Sequence, residues 1–126
     1  MPSHDRVRQL IGMVEAGKFV EAIEEFYAPS ATMQENVQPK RQGLDRLVEG
    51  ERRVLAAWKE VRTMPVESFL IDGDRVVIRW VFEFLGHDGR SFRQDELALQ
   101  RWEGDRIVEE RFYYDPSQQR PATSIE

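Results

Sequence analysis

The sequence predicts an α+β fold in which two helices, a short strand and a long helix precede four strands of an antiparallel meander. Two patterns predict this class. Apolar residues recur at helical spacing in the first half of the chain, whereas apolar and polar residues alternate in the second half. Short turns rich in Gly and Asp separate the alternating segments. Helices grouped on one face of a mainly antiparallel sheet are typical of α+β domains.

The two N-terminal helices are predicted to form a helical hairpin. The first covers roughly His4–Glu15, where Ser3 can cap its start and Gly17 can end it in a left-handed conformation. Its apolar residues share one face: Val7, Leu10, Ile11 and Val14. The second helix begins near Phe19, and Pro29 is predicted to terminate it, because the residue before a proline disfavours helical geometry.

The central part of the chain is predicted to contain one strand and one long helix. The strand covers Ala31–Asn36, and Val37–Gln42 forms a loop. The helix runs from Leu44 to about Val61, although Gly50 inside it costs about 1 kcal/mol relative to Ala.

The second half is predicted to form the meander. Its first strand covers Pro65–Ile71, and Asp72-Gly73 predicts a two-residue hairpin into the strand Arg75–Leu85. The remaining strands are Phe92–Trp102 and Arg106–Asp115. Because a twisted sheet that wraps around a long helix leaves a cavity at its open end, we expect a ligand pocket there.

The register of the strand Phe92–Trp102 decides which side chains reach the pocket. Either Glu96 and Gln100 or Leu97 and Leu99 point inward, because a slip of one residue exchanges the two faces of a strand. We favour the first register. An outer apolar surface then forms, and it predicts a homodimer. This surface consists of Val77, Val81, Leu97 and Leu99.

Length and composition indicate one globular domain, which we place at residues 1–115. The chain has 126 residues, of which 40% are hydrophobic and 33% are charged, as is ordinary for a globular protein. Residues 116–126 contain two prolines and few apolar residues, and we expect a flexible C-terminal tail there.

The composition also disfavours several kinds of partner. No cysteine is present, which excludes disulfides and fits a cytoplasmic protein. His4 and His87 lack ligand partners at useful spacing, so we expect neither a metal nor another cofactor. A net charge of −5 disfavours a nucleic-acid partner. No apolar run approaches the roughly 20 residues that cross a membrane.

The order of elements and several motifs resemble the nuclear transport factor 2-like superfamily, and within it the SnoaL-like polyketide cyclase group. The likeness covers about Arg6–Asp115. The motifs are Glu15-Ala16-Gly17-Lys18, Phe26-Tyr27-Ala28-Pro29-Ser30-Ala31-Thr32, Gly43 at the start of the long helix, and Gly104-Asp105-Arg106-Ile107-Val108 before Tyr113-Tyr114-Asp115. This resemblance implies a cone-shaped α+β barrel whose pocket is lined by the first strand, the long helix and the inner sheet face.

The resemblance also suggests where catalytic groups could lie. In ketosteroid isomerase the base follows a Tyr-Ala-x-x-Ala-Thr run by a few residues, and the matching position here is Glu35. The isomerase's first-helix tyrosine aligns with Leu10, and its neutral aspartic acid aligns near Ala98. The last-strand aspartate of the epoxide hydrolases aligns with Phe112. Neither reaction therefore carries over unchanged.

The predicted site combines carboxyl groups with apolar and aromatic side chains. Its catalytic residues are Glu35, Glu110 and Tyr114, and the resemblance turns the last two toward the pocket together with Val108 and Phe112. Burial would raise the pKa of such carboxyls toward neutrality and suit them to proton transfer. A rim position paired with Arg41 is the alternative for Glu35, and a structural role is the alternative for Glu110. The predicted ligand-binding residues are Met33, Trp58, Trp80, Phe82, Glu96, Gln100 and Phe112.

Two hypotheses about function remain open at this point. The first is an enzyme that catalyses cofactor-independent isomerisation or cyclisation of a small hydrophobic carbonyl compound. Glu35 would take the proton, and Glu110 would steady the oxyanion with Tyr114 and Gln100. The second is a non-catalytic dimer that binds a small hydrophobic molecule or serves as a protein-interaction module. The sequence alone does not name the ligand.

Overall fold

A computed structural model describes residues 2–119 and confirms the α+β class. Within this range, three helices pack against a mixed, seven-stranded sheet that does not close into a barrel. The elements in chain order are α1 (His4–Glu15), α2 (Phe19–Phe26), β1 (Tyr27–Glu35), β2 (Arg41–Gln42), α3 (Leu44–Ala57), β3 (Glu60–Thr63), β4 (Phe69–Asp72), β5 (Arg75–Leu85), β6 (Ser91–Glu103), β7 (Arg106–Tyr113) and a 3₁₀ turn (Pro116–Gln119).

The strands are ordered β2-β1-β7-β6-β5-β3, and β4 also pairs with β5. The pairs Ile71–Val76 and Val61–Phe84 place β4 on the first half of β5 and β3 on its second half. All neighbours are antiparallel except β1 and β7, which run parallel. The long strands β5, β6 and β7 therefore form the wall on which the site is built.

The ends of α1 confirm the predicted capping residues. The Ser3 side chain accepts a hydrogen bond from the backbone N–H of Arg6 at 3.0 Å, which satisfies one of the free donors at the helix start. Gly17 adopts a φ of +81°, the left-handed conformation that favours glycine after a helix. The predicted bounds, His4–Glu15, are those observed.

The second helix is shorter than predicted, and the first strand is longer. The helix ends at Phe26 rather than at Pro29, and β1 begins at Tyr27 rather than at Ala31. Pro29 lies inside this strand, where a register shift between Tyr27 and Thr32 interrupts the pairing with β7. A proline fits at such an irregular position because it donates no ladder hydrogen bond. Tyr27, which the sequence pattern places in the second helix, is therefore the first residue of β1.

The long helix is also shorter than predicted. It ends at Ala57, because Trp58 adopts extended geometry, and Val61 lies in β3 and not in the helix. The predicted loop before the helix contains β2, whose Arg41 pairs with Met33. The first strand of the meander begins at Phe69 and not at Pro65. These short edge strands contain two to four residues, which is too few for alternation to be recognised.

The preferred register of β6 is correct. Glu96 and Gln100 are buried, whereas 47% of Leu97 is exposed. In β7 the predicted alternation fails at one point, because Arg101 pairs with Glu109 while Trp102 pairs with Ile107. This bulge inserts one extra residue and turns Ile107, rather than Val108, into the core.

The apolar core lies between the helices and the inner sheet face, with Phe26, Leu47, Ile78 and Trp102 among its most buried side chains. None of the helices in the described part of the chain is long and apolar enough to span a membrane. The start of the predicted tail forms an ordered 3₁₀ turn, Pro116–Gln119. Residues 120–126 of that tail lie outside the described residues.

Candidate functional site

A cavity of about 160 Å³ lies between the helices and the inner face of the sheet. Much of its wall is apolar: Val14, Phe19, Ile23, Trp80, Phe82 and Phe112. Four carboxyl groups also line it, namely Glu35, Glu51, Glu96 and Glu110. Arg41 is the one cationic side chain among the described lining residues. The cavity therefore confines several acids in an environment with little compensating positive charge.

Four residues form a deep network, which consists of Tyr27, Gln100, Trp102 and Glu110. The Tyr27 hydroxyl donates a short hydrogen bond to Oε1 of Glu110, and the amide of Gln100 donates to Oε2 at 2.7 Å. The Trp102 indole donates to the Gln100 oxygen at 3.0 Å. Burial raises the pKa of Glu110 to about 7, although the two donors favour the charged form. Both oxygens of Glu110 are thus occupied.

Glu96 differs from Glu110 because only one of its oxygens is engaged. Its side chain is 6% exposed, and Gln94 Nε2 donates to Oε1 at 2.6 Å. Oε2 has no hydrogen-bond partner among the described residues, and Glu96 lines the cavity. Burial raises the pKa of Glu96 to about 8, and the Gln94 hydrogen bond opposes this increase. At neutral pH Glu96 is therefore mainly a neutral acid.

A second group, the mouth cluster, lies at the open end of the cavity and consists of Glu35, Arg41 and Tyr114. Arg41 Nη2 contacts Oε2 of Glu35 at 3.0 Å, and the Tyr114 hydroxyl donates to Oε1 at 2.8 Å. Burial and the Glu35 contact raise the pKa of Tyr114. Both oxygens of Glu35 therefore accept hydrogen bonds, one of them from a cationic donor.

Asn36 holds the residues of the mouth cluster in place. It has a φ of 51°, in the left-handed region that Asn tolerates better than most residues. Its side-chain oxygen accepts a hydrogen bond from the backbone N–H of Tyr114 at 2.9 Å. Its carbonyl accepts one from Arg111 at 2.9 Å. Asn36 therefore fixes the end of β1 beside the residue that follows β7.

The predicted residues fall into two groups. The cavity is lined by eight of them: Met33, Glu35, Trp80, Phe82, Glu96, Gln100, Glu110 and Phe112. Trp58 lies elsewhere and packs against the rings of Phe84 and Phe92 at 5.5 and 5.1 Å. The Tyr114 hydroxyl contacts Glu35, and the hydroxyl that contacts Glu110 is that of Tyr27.

Sequence reasoning missed Tyr27 and Glu51. Tyr27 was assigned to a helix, and only its place in β1 turns the hydroxyl toward Glu110. Glu51 lies three and four residues after Val48 and Leu47, on the buried face of α3, and this spacing could have revealed it. Burial raises the pKa of Glu51, and the nearby Arg41 opposes this increase.

Gly50 explains how Arg41 reaches the mouth cluster. A Cβ atom on Gly50 would lie 3.1 Å from Arg41 Nη1, so the guanidinium lies directly against the backbone of α3. The lower helix propensity of glycine is therefore offset by a close approach of Arg41. Among the described residues, no cluster of three His, Asp or Glu side chains has the geometry of a metal site.

These features define the class of the protein and then its family. A cone-like α+β domain with a pocket between its helices and a curved sheet is a nuclear transport factor 2-like fold. The family model of the SnoaL-like domain matches residues 7–110, and the chain belongs to this family. No curated protein sequence matches the chain.

Solved structures with low sequence identity share this fold. A nuclear transport factor 2-like protein of unknown function from Burkholderia pseudomallei is 19% identical, with 90% of each chain covered and a TM-score of 0.77. A protein assigned as a SnoaL-like polyketide cyclase from Mesorhizobium loti is 21% identical, with coverage of 90% of this chain and 100% of that chain and a TM-score of 0.76. A protein of ketosteroid isomerase-like fold from Catenulispora acidiphila, in complex with trimethylamine, is 19% identical, with 92% and 89% covered and a TM-score of 0.77.

Proposed function

We propose that the protein binds a small hydrophobic carbonyl compound in this cavity and catalyses cofactor-independent proton transfer on it. The observation that carries the proposal is the contrast between two carboxyl groups that line one cavity. Glu96 is a buried neutral acid with an oxygen open to the cavity, and Glu35 is a carboxylate held by two donors. An acid and a base in one apolar cavity are what enolisation of a ketone requires.

Glu35 acts as the base in the proposed reaction. It removes a proton from the carbon next to the carbonyl group and later returns that proton to the same or a different carbon. Arg41 and Tyr114 occupy one lone pair on each oxygen of Glu35, and a carboxylate retains further acceptor capacity. The same two contacts orient the carboxylate, which reduces the entropic cost of reaching the reactive geometry.

Glu96 stabilises the charge that develops on the carbonyl oxygen. Its neutral carboxyl group donates a hydrogen bond to that oxygen, and the apolar wall excludes the water that would weaken this interaction. The sequence suggested Glu110 for this role. We reassign it to Glu96, because both oxygens of Glu110 already accept hydrogen bonds within the deep network. Glu110 then maintains the shape and charge of the cavity floor.

The proposal is tested by hydrogen–deuterium exchange at the carbon next to the carbonyl group. Hydrophobic ketones that raise the melting temperature of the wild type are incubated with it in D₂O, and exchange is followed by NMR. Glu35→Gln is expected to abolish exchange while the ligand-induced thermal shift persists. Glu96→Leu is expected to slow exchange by about 10²–10³-fold, since it removes one donor from the oxyanion.

Glu49→Gln provides a matched control, because Glu49 lies on the exposed side of α3 and pairs with Arg53. This variant is expected to keep the wild-type exchange rate. Thermal shifts without exchange in the wild type would replace the enzyme with a ligand-binding protein. Exchange that persists in Glu35→Gln would remove Glu35 from the mechanism.

The proposal includes a cytoplasmic homodimer formed through the outer face of the sheet. Leu97, Tyr113 and Leu70 are 47%, 41% and 70% exposed. In a dimer this apolar surface would be withdrawn from water. Leu97→Lys is expected to shift the sedimentation coefficient from dimer to monomer, whereas Val37→Lys, in the loop after β1, is expected to leave it unchanged. A monomeric wild type would exclude the dimer without affecting the proposed chemistry.

A further inference from the structure

The C-terminal 3₁₀ turn, Pro116–Gln119, lies beyond the matched family region and contacts the site through β6. Gln118 anchors it with two side-chain hydrogen bonds to one residue of the strand. Its oxygen accepts from the backbone N–H of Asp95 at 3.0 Å, and its amide donates to the Asp95 carbonyl at 3.1 Å. The turn is thus attached beside Gln94 and Glu96.

The next residue of the turn begins a chain of hydrogen bonds that ends at Glu96. Gln119 Nε2 donates to Gln94 Oε1 at 2.9 Å. Gln94 Nε2 then donates to Glu96 Oε1 at 2.6 Å. Gln94 is 5% exposed and lines the cavity, whereas Gln119 lies at the surface. A surface side chain is therefore connected to the proposed acid through one buried amide.

The direction of this chain determines which oxygen of Glu96 carries the proton. An amide has a donor end and an acceptor end, so a Gln94 oxygen that faces Gln119 turns the Gln94 NH₂ group toward Glu96. Oε1 of Glu96 must then act as an acceptor. The proton of the neutral acid consequently lies on Oε2, the oxygen with access to the cavity.

We propose that Gln119 is a positioning residue that, through Gln94, keeps the acidic proton of Glu96 on the oxygen that faces the cavity. Without the Gln119 donor, the Gln94 amide is free to rotate by half a turn. Its carbonyl group would then accept a hydrogen bond from Glu96 and draw the proton away from the cavity. The C-terminal turn thus prepares the acid for a ligand.

Three carboxyl groups surround Glu96, namely Glu35 from β1, Glu51 from α3 and Glu110 from β7, and each raises the pKa of Glu96. Tyr114 also lies near Glu96, and a side-chain hydrogen bond with Gln119 lowers the pKa of its hydroxyl. Gln94 is the neighbour whose side-chain hydrogen bond lowers the pKa of Glu96. Loss of the Gln119 donor therefore raises the pKa of Glu96, because the neutral form gains the Gln94 carbonyl as an acceptor whereas the charged form keeps the Gln94 NH₂ group as its donor.

The test is a titration of the Glu96 carboxyl group by ¹³C NMR in the full chain. Gln119→Met removes the donor while preserving side-chain length, and it is expected to raise the pKa of Glu96 by about 0.5 to 1 unit. Gln9→Met, on the exposed side of α1, is the matched control and is expected to leave the pKa unchanged. Gln94→Met is expected to raise the pKa at least as much as Gln119→Met does.

The double variant Gln94→Met/Gln119→Met shows whether Gln119 acts through Gln94. If it does, the double variant has the same pKa as Gln94→Met alone, because the two residues form one pathway. Additive shifts, or a Gln119→Met titration identical to that of Gln9→Met, would overturn the inference. Only its catalytic consequence rests on the proposed function. The titration needs no ligand, so the inference and the proposed chemistry can fail independently.

With an exchanging ketone in hand, a second measurement follows. Gln119→Met is expected to lower kcat about three- to tenfold with little change in KM, because the donor to the oxyanion matters mainly in the transition state. It is also expected to move the alkaline limb of the pH profile upward with the pKa of Glu96. A merely structural role for Gln119 would leave that limb in place.

Discussion

The deep network and the mouth cluster both hold a glutamate between hydrogen-bond donors, yet their physical settings differ. In the deep network, Glu110 is 3% exposed and its donors, Tyr27 and Gln100, are uncharged. At the mouth, the side chain of Glu35 is 35% exposed and one of its donors is the guanidinium of Arg41. Burial without a cation raises the pKa of Glu110 to about 7. Glu35 instead combines partial exposure with a cationic partner.

The properties of a carboxyl group in this site therefore depend on how deeply it is buried and on its hydrogen-bond partners, since all of these groups belong to glutamates. A deep carboxyl group with uncharged donors destabilises the folded state when it ionises at alkaline pH. A half-exposed ion pair contributes little to stability, because water screens it, but it fixes the orientation of the carboxyl group. The following predictions test this contrast.

The largest expected effect is a loss of stability as the pH rises from about 5 to 8. The folded-state pKa values of Glu96 and Glu110, about 8 and about 7, exceed the ordinary value of 4.5. The native state therefore binds more protons than the unfolded state in this window, and each group reduces the free energy of unfolding by up to about 1.4 kcal/mol per pH unit. Urea denaturation at successive pH values measures the slope.

Glu96→Gln is the control for this pH dependence. It is expected to flatten the slope across the window, and most completely near pH 8, where Glu110 is mostly ionised and Glu96 still titrates. The surface acids with lowered pKa values, Asp95, Glu109 and Asp115, act only at lower pH. Unfolding free energies that stay constant across the window would contradict the assigned burial of both carboxyl groups.

A smaller effect is expected from removing one hydroxyl group from each region. Tyr27→Phe leaves a buried oxygen of Glu110 without its donor, and we expect a loss of about 2 kcal/mol at pH 8. Tyr114→Phe removes the corresponding donor from Glu35, where water can replace it, so we expect a loss below about 1 kcal/mol. Chemical denaturation of both variants gives the comparison, and equal losses would mean that depth does not separate the two regions.

The smallest expected effect concerns the glycine beneath the mouth cluster. Gly50→Ala gains up to about 1 kcal/mol of helix propensity, but the new methyl group meets the guanidinium of Arg41. Because Arg41 is long and flexible, we expect it to move and the net change in unfolding free energy to stay within about 0.5 kcal/mol. Thermal denaturation measures stability, and the Arg41 side-chain NMR signals report the movement. Unchanged Arg41 side-chain signals in Gly50→Ala would show that Arg41 does not pack closely against the backbone of α3.

Long, regular elements could be predicted from the sequence, and short or irregular ones could not. The helix His4–Glu15 and the strand Arg75–Leu85 were predicted with their observed bounds, because each carries many residues that repeat one period. The strand Glu60–Thr63 was missed because pairing along the edge of β5, and not local alternation, defines it. The bulge at Val108 was missed for the same reason, since only the pairing of β6 with β7 reveals the extra residue.

The candidate site shows the same division. Alternation placed Glu96 and Gln100 on one face of their strand, the resemblance turned Glu110 toward the pocket, and all three side chains are buried. Alternation could not predict their hydrogen-bond partners, because these bonds join residues that are distant in sequence. Tyr27 and Glu110, for example, are 83 positions apart.

Local periodicity thus identified the fold class and the faces of the long elements, because these depend on neighbours along the chain, and the family resemblance added Glu35 and Glu110 to the expected site. Only the assembled sheet decided which carboxyl groups have a raised pKa and which donors contact each of their oxygens. Those properties arise from desolvation and from donors that distant elements bring together, including Arg41, Tyr114 and the C-terminal turn with Gln119.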